Sequence, residues 1–173
     1  MQQALLDHLR KITEEEQRIL DGASEVDQGL YTSGKDFTVD SAKMLEEGKL
    51  IAVRTHTRFV HFPSHRHNFI EVLYVCEGSL INIIGGKQVV IEAGELLFLN
   101  QFTRHEILPA GKNDIAINFM ILPEFFDVPI PWQEAIMYWR IFLLMYYGRM
   151  KKRESIFTFV WQRCCRSRIF WKI

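Results

Sequence analysis

The sequence is poor in the features that mark specialised chains. It holds three cysteines, Cys76 and the adjacent Cys164 and Cys165. So few thiols, so placed, make no disulfide framework and suit a reducing cytosol. No apolar run approaches the roughly 18 residues of a membrane-spanning helix. Met1-Gln2-Gln3-Ala4 opens an acidic amphipathic stretch and not the apolar core of a secretory signal. A cytoplasmic chain without a membrane partner is therefore expected. There is no P-loop, no CxxC pair and no Ser/His/Asp arrangement, so phosphate cradling, dithiol redox chemistry and triad hydrolysis have no support. Low-complexity linkers and internal repeats are lacking too. With 48% hydrophobic and 24% charged residues, the composition excludes wholesale disorder.

What is present fits one domain with a sizeable core, since 173 residues fall within the roughly 100–200 residues of a typical domain. Leu5, Leu9, Ile12 and Ile19 sit near helical spacing, and Glu14, Glu15, Glu16 and Arg18 are expected on the solvated side. This predicts one amphipathic helix over residues 3–20 within an N-terminal helix or arm, residues 1–29. Asp40-Ser41 leads into a second short helix over Ala42–Glu47, closed by Gly48. From Leu50 to Pro123 the period changes to two. Strands are expected at Phe69–Cys76, Ser79–Ile84, Lys87–Glu92, Leu96–Leu99 and Asp114–Leu122, punctuated by Glu77-Gly78, Gly85-Gly86 and Ala93-Gly94. The fold class is mainly β: a small β-barrel or jelly roll with an N-terminal helix and a helical or irregular C-terminal tail.

His65, His67 and Glu71 share odd positions. On one continuous strand they would share a face with Phe69, Leu73 and Val75. Two imidazoles and a carboxylate buried together are costly unless they bind a metal, pair with one another or meet a polar ligand. His105 can close the cluster from a neighbouring strand. Three nitrogens and one carboxylate suit Fe, Mn, Ni, Cu or Zn, and residue type does not choose among them. His56 and His61 are expected at the surface or barrel edge. Cys76 is expected on the opposite side of its strand, as an inert packed thiol.

His65-Arg66-His67 with Glu71 and Gly78 resembles the first cupin motif, and Gly94 with His105 resembles the second in spacing. Phe59 stands where the first motif has its leading Gly. Asn100, Phe102 and Pro109 replace the Pro, Gly and Asn of the second. The string from His65 to His105, with "YVCEGS" and "GELLFLNQFTRHEI", resembles the sensor domain of AraC-type transcription regulators. The resemblance covers roughly residues 30–130. It implies a cupin sensor domain over that stretch, with a small-molecule effector, polar and carbohydrate-like, meeting His65, His67, Glu71 and His105. It further implies a homodimer, and DNA contact only through a helix-turn-helix domain absent from this chain. The chain is then a regulator truncated before its DNA-binding half and not an enzyme. The alternative is a stand-alone metal-dependent cupin enzyme of the dioxygenase or isomerase type.

The formal net charge of zero hides an asymmetry. Residues 1–130 carry 12 Lys/Arg against 19 Asp/Glu, whereas residues 131–173 carry 9 against 2 and all 4 tryptophans. One expectation for this basic, aromatic-rich tail is a nucleic-acid or membrane-surface segment, and another is a helix over the apolar stretch 135–147. A third is translation out of frame from Gln133 onward. Permitted codons read two bases over give a pair of amphipathic segments that resemble the dimerisation helices following AraC-type sensors.

Overall fold

The computed structural model describes residues 3–34, 36–127, 156–160 and 168–170. Where hydrophobic spacing predicts one N-terminal helix, the chain forms two: α1, Gln3–Leu9, and α2, Glu14–Leu20. The break has a chemical cause. Thr13 is extended and caps α2; its hydroxyl accepts the Glu16 N–H while the Glu16 carboxylate accepts the Thr13 N–H. This reciprocal capping box restarts the helix. Glu16 is accordingly not on the solvated side. It is 0% exposed and meets the 1% exposed Arg58, whose Nε donates at 2.7 Å and Nη2 at 3.0 Å to its two oxygens. Arg58 also donates to the carbonyls of Arg10, Lys11 and Lys112. It thereby satisfies acceptors just past the end of α1 that have no helical partner. The second predicted helix is shorter than expected, α3 at Ser41–Met44, with Asp40 accepting the Ala42 N–H as its cap.

Eleven strands form among the described residues, β2 to β9 of them within the alternating stretch: β1 (Thr38–Val39), β2 (Ile51–Thr55), β3 (Phe62–His67), β4 (Ile70–Glu77), β5 (Ser79–Ile84), β6 (Lys87–Glu92), β7 (Glu95–Leu99), β8 (His105–Ile107), β9 (Ile115–Ile121), β10 (Ile156–Val160) and β11 (Arg168–Phe170). They form a five-stranded sheet, β1-β3-β8-β5-β6, and a six-stranded sheet, β11-β10-β7-β4-β9-β2. Every pairing is antiparallel except β1 with β3. The architecture is a jelly-roll sandwich of the cupin kind and not a closed barrel: the two sheets remain separate ladders, each with its own edges.

Gly78, between β4 and β5, has φ +73°, and a Cβ there would lie 2.9 Å from the Asn113 carbonyl oxygen. Only glycine fits a left-handed turn that close to another backbone. The chain also takes a left-handed conformation at Phe59, φ +69°, the position where the resembled motif has Gly.

The inner faces meet in two apolar clusters. One joins Leu73, Val75, Leu97 and Leu99 of the six-stranded sheet to Leu80, Ile84, Val89 and Ile91 of the other. The second gathers Val26, Tyr31, Phe37 and Val39 of the N-terminal segment onto Phe62, Phe69, Ile107 and Met120. The N-terminal segment is thus part of the core. On β2 the alternation turns Ile51 and Val53 outward, Val53 to 56% exposure, and leaves Arg54 to the interior side.

In the tail, β10 pairs with β7 and β11 pairs with β10, where a helical or irregular segment was expected. The remaining expectations for the tail, including the out-of-frame reading and the helix over 135–147, lie outside the described residues.

Candidate functional site

His65 and His67 leave β3 two residues apart and face the interior, whereas Glu71 stands on β4 in the opposite sheet. They do not share one strand, as the odd spacing suggested. The chain turns at Asn68-Phe69 and crosses from one sheet to the other, so the three side chains meet across the sandwich. His105 joins them from β8, directly opposite His65 in the β3–β8 register. All four predicted site residues are therefore brought together.

The rings of His65 and His105 have centroids 4.2 Å apart, and His67 lies 4.9 Å from His65 and 5.1 Å from His105. One nitrogen from each of the three lies within 4.8 Å of the others. Glu71 Oε2 stands 3.7 Å from His67 Nε2 and 3.6 Å from His105 Nε2. Its Oε1 accepts Asn118 Nδ2 at 2.8 Å. His65 Nδ1 lies 2.8 Å from the Pro63 carbonyl. A carbonyl only accepts, so that nitrogen carries the proton and Nε2 is left as the acceptor.

Glu71 Oε2, His67 Nδ1 and both ring nitrogens of His105 are buried without a hydrogen-bond partner in the protein. Burial sets the protonation of the cluster. It lowers His56 and His65 to about 4 and raises Glu71 to about 7, the latter opposed by the Asn118 hydrogen bond. Burial first, and the neighbouring imidazoles second, hold His67 and His105 well below the ordinary histidine value. Neutral imidazoles beside a carboxylate can ligate a cation or exchange hydrogen bonds with hydroxyl groups.

His65, His67 and Glu71 of the cluster line a cavity of about 40 Å³ between the sheets, room for a few water-sized groups. Its other wall carries residues the sequence reading did not assign to the site. Tyr31, Val39 and Met44 approach from the N-terminal segment, and Arg54 and Thr57 from β2 and the loop after it. His56 belongs here as well. It is buried against the cavity, not at the surface: alternation lapses at the end of β2, and Thr55, His56 and Thr57 all line the cavity. His61 is exposed, as expected, 3.7 Å from Glu106. Cys76 is half-buried, its thiol raised to about 11 by burial. Asn118 carried a usable signal: it is the polar residue in the middle of an apolar strand, Ile-Ala-Ile-Asn-Phe-Met-Ile.

The N-terminal segment is strapped down beside the histidines. β1 pairs with β3, Phe37 stacks on Phe62 at 5.5 Å, and Asp36 binds Arg66 at 3.0 Å and Arg104 at 2.7 Å.

Comparison with known proteins bears on the same region. Residues 47–126 match the AraC-like ligand binding domain. Over 76 residues the chain is 28% identical to the HTH-type transcriptional activator RhaR of Escherichia coli strain K12, and equally to that of Shigella flexneri serotype 5b. The match covers 43% of this chain and 26% of either relative, so the chain spans about a quarter of their length. Among solved structures it is similar to ToxT from Vibrio cholerae, with TM-score 0.41 and 11% identity over 65% of this chain and 42% of that one. A ToxT structure with bound unsaturated fatty acid matches with TM-score 0.36 and 14% identity, over 44% and 30% of the two chains. The stretch that matches the AraC-like ligand binding domain holds β2 to β9, and with them the four clustered site residues.

Proposed function

We propose that the protein is the effector-sensing module of a transcription regulator, taking a small polar, carbohydrate-like metabolite into the cavity between its sheets. One observation carries the reading. Three buried polar side chains with unpaired donors or acceptors, His67, Glu71 and His105, lie at or beside a cavity whose other wall includes Tyr31, Val39 and Met44 of the N-terminal segment. Unpaired buried polar atoms cost about 1–3 kcal/mol each, and a hydroxylated ligand relieves that cost. His65, His67, Glu71 and His105 meet the ligand's hydroxyl groups, and Tyr31 and Val39 close over it. A ligand that binds one placement of this segment more tightly shifts the population toward it. Dimerisation and DNA contact are then read out by parts outside the described residues, in the cytoplasm.

A second reading is favoured by the same orphaned atoms. His65, His67, His105 and Glu71 offer a donor set that fits a divalent transition metal, Fe, Mn, Ni, Cu or Zn. Such an ion would supply Lewis-acid polarisation of the kind an isomerase uses or, where redox-active, the electron transfer a dioxygenase needs.

Both readings are tested on the purified chain. A panel of sugars and polyols is titrated by calorimetry against the wild type, Glu71→Gln and His67→Ala, and metal content is measured in parallel. Loss of one ligand hydrogen bond weakens binding by about 5- to 150-fold. Binding that is unchanged in both variants removes the effector site from this cavity. Near-stoichiometric metal, lost together with a turnover in His105→Ala, replaces sensing by the enzyme reading.

A further inference from the structure

Tyr31, Arg54 and Thr57 all line the cavity and converge on a single carboxylate that does not belong to its wall. That carboxylate is Glu15, on α2. The Tyr31 hydroxyl lies 2.6 Å from Glu15 Oε1 and 2.8 Å from Oε2, Arg54 Nη2 donates to Oε2 at 3.0 Å, and Thr57 Oγ1 donates to Oε2 at 3.0 Å. The donors also hold one another. Arg54 Nη2 is 3.3 Å from the Tyr31 oxygen, its guanidinium carbon lies 5.0 Å from the Tyr31 ring centre, and Tyr31 and Thr57 oxygens are 3.3 Å apart. Two hydroxyls and a guanidinium drawn from three places in the chain make a preformed cradle for a carboxylate at the cavity edge.

The neighbouring residue shows what a permanent tie looks like. Glu16 is sealed from water on Arg58, whereas the Glu15 pair is open on one side, with the Arg54 side chain 36% exposed and that of Glu15 13%. Breaking a buried pair is strongly destabilising, whereas a partly exposed one costs less to open because water reaches the guanidinium. Glu16 therefore docks α2, and Glu15 can leave the cradle without undocking it.

We propose that Glu15 is an internal stand-in for the effector's own acid group. The effector carries a carboxylate that takes Glu15's place on Tyr31, Arg54 and Thr57, and this exchange is the route by which occupancy is felt at α2. The inference rests on the cavity being a ligand site, and it narrows the ligand to a hydroxylated carboxylic acid.

The test is chemical rescue in the full chain. Glu15→Ala empties the cradle and lowers Tm. Acetate at about ten times its Kd then raises Tm of the variant by roughly 3–6 °C, while acetamide at equal concentration does not. The wild type, its cradle filled, responds less than the variant. Adding Arg54→Leu to Glu15→Ala abolishes the acetate response. The proposal is overturned if acetate has no effect on the variant, if acetamide matches it, or if the double variant still responds. Should Glu15→Ala not accumulate as folded protein, Glu15→Gln is judged by the same contrast. Acetate reads the cradle without any effector, so a failed rescue beside an intact polyol response removes only the carboxylate.

Discussion

Replacing Glu16 by alanine tests the most deeply buried charge pair among the described residues. Arg58 would keep its burial and lose three contacts to Glu16: from Nε, from Nη2 and from its backbone N–H at 3.1 Å. The guanidinium would retain uncharged partners alone: carbonyls at 2.9 Å from Lys112 and 3.3 Å from Arg10 and Lys11, and the Phe59 ring with its centre 5.2 Å away. Removing one partner of a buried pair costs about 3–5 kcal/mol because the survivor remains a dry, unbalanced charge. The Thr13 capping box is lost as well. A total of about 4–6 kcal/mol is expected, a fall in Tm of roughly 8–24 °C for a chain of this length. Urea denaturation gives the value directly. The double variant Glu16→Met/Arg58→Met should cost less than the single one, because neither charge is then left behind. The pH dependence supplies a second check. Burial alone raises the Glu16 carboxyl, but hydrogen bonds from Arg58 and the Thr13 backbone outweigh it and hold the group below 4.5. A carboxyl depressed in the folded state stabilises fully above its unfolded value and loses that contribution as pH falls through the folded value. Wild-type stability should therefore drop more steeply below about pH 4.5 than that of Glu16→Ala, and the two curves should approach each other in acid. A cost under about 1 kcal/mol, or a double variant as unstable as the sum of its singles, would refute the reasoning.

Gly78→Ala would set a Cβ onto Asp114 Oδ1 in a left-handed turn, and a loss of about 3 kcal/mol in urea denaturation is expected. At Phe59 the usual order of substitutions should invert: Phe59→Gly relieves the left-handed strain and Phe59→Ala does not. The glycine variant should be the more stable of the two by about 1 kcal/mol, as read by thermal melts. Thr13→Ala removes one half of the capping box but leaves the Glu16–Arg58 pair, so it should cost only about 1 kcal/mol on the same assay.

Much of the fold was legible in the chain because its signals are local. The Gly-punctuated alternation located β5 and β6 to the residue and β4, β7 and β9 to within one or two. What it missed depended on partners far away in sequence. Glu16 follows two other glutamates and reads as a solvated face, and only Arg58, 42 residues on, makes it an interior residue. His56 was placed at an edge because nothing local distinguishes the two faces of β2. Its outward residues, Ile51 and Val53, are the more apolar ones.

The four clustered side chains were chosen by residue type and spacing, and the sequence by itself determined that they would meet: the resembled motif keeps His65, His67, Glu71 and His105 while its turn residues vary. It could not determine how they meet. Odd parity suggested one strand, whereas the turn at Asn68-Phe69 sends the chain into the opposite sheet and makes the site a bridge between sheets. The cradle around Glu15 is wholly a product of tertiary structure. Tyr31, Arg54 and Thr57 carry no spacing signal relative to Glu15, and only the docking of α2 on the sandwich gives one carboxylate three donors. Periodicity is written into neighbouring residues by backbone geometry, but the choice of partner for a buried charge is made by the assembled core.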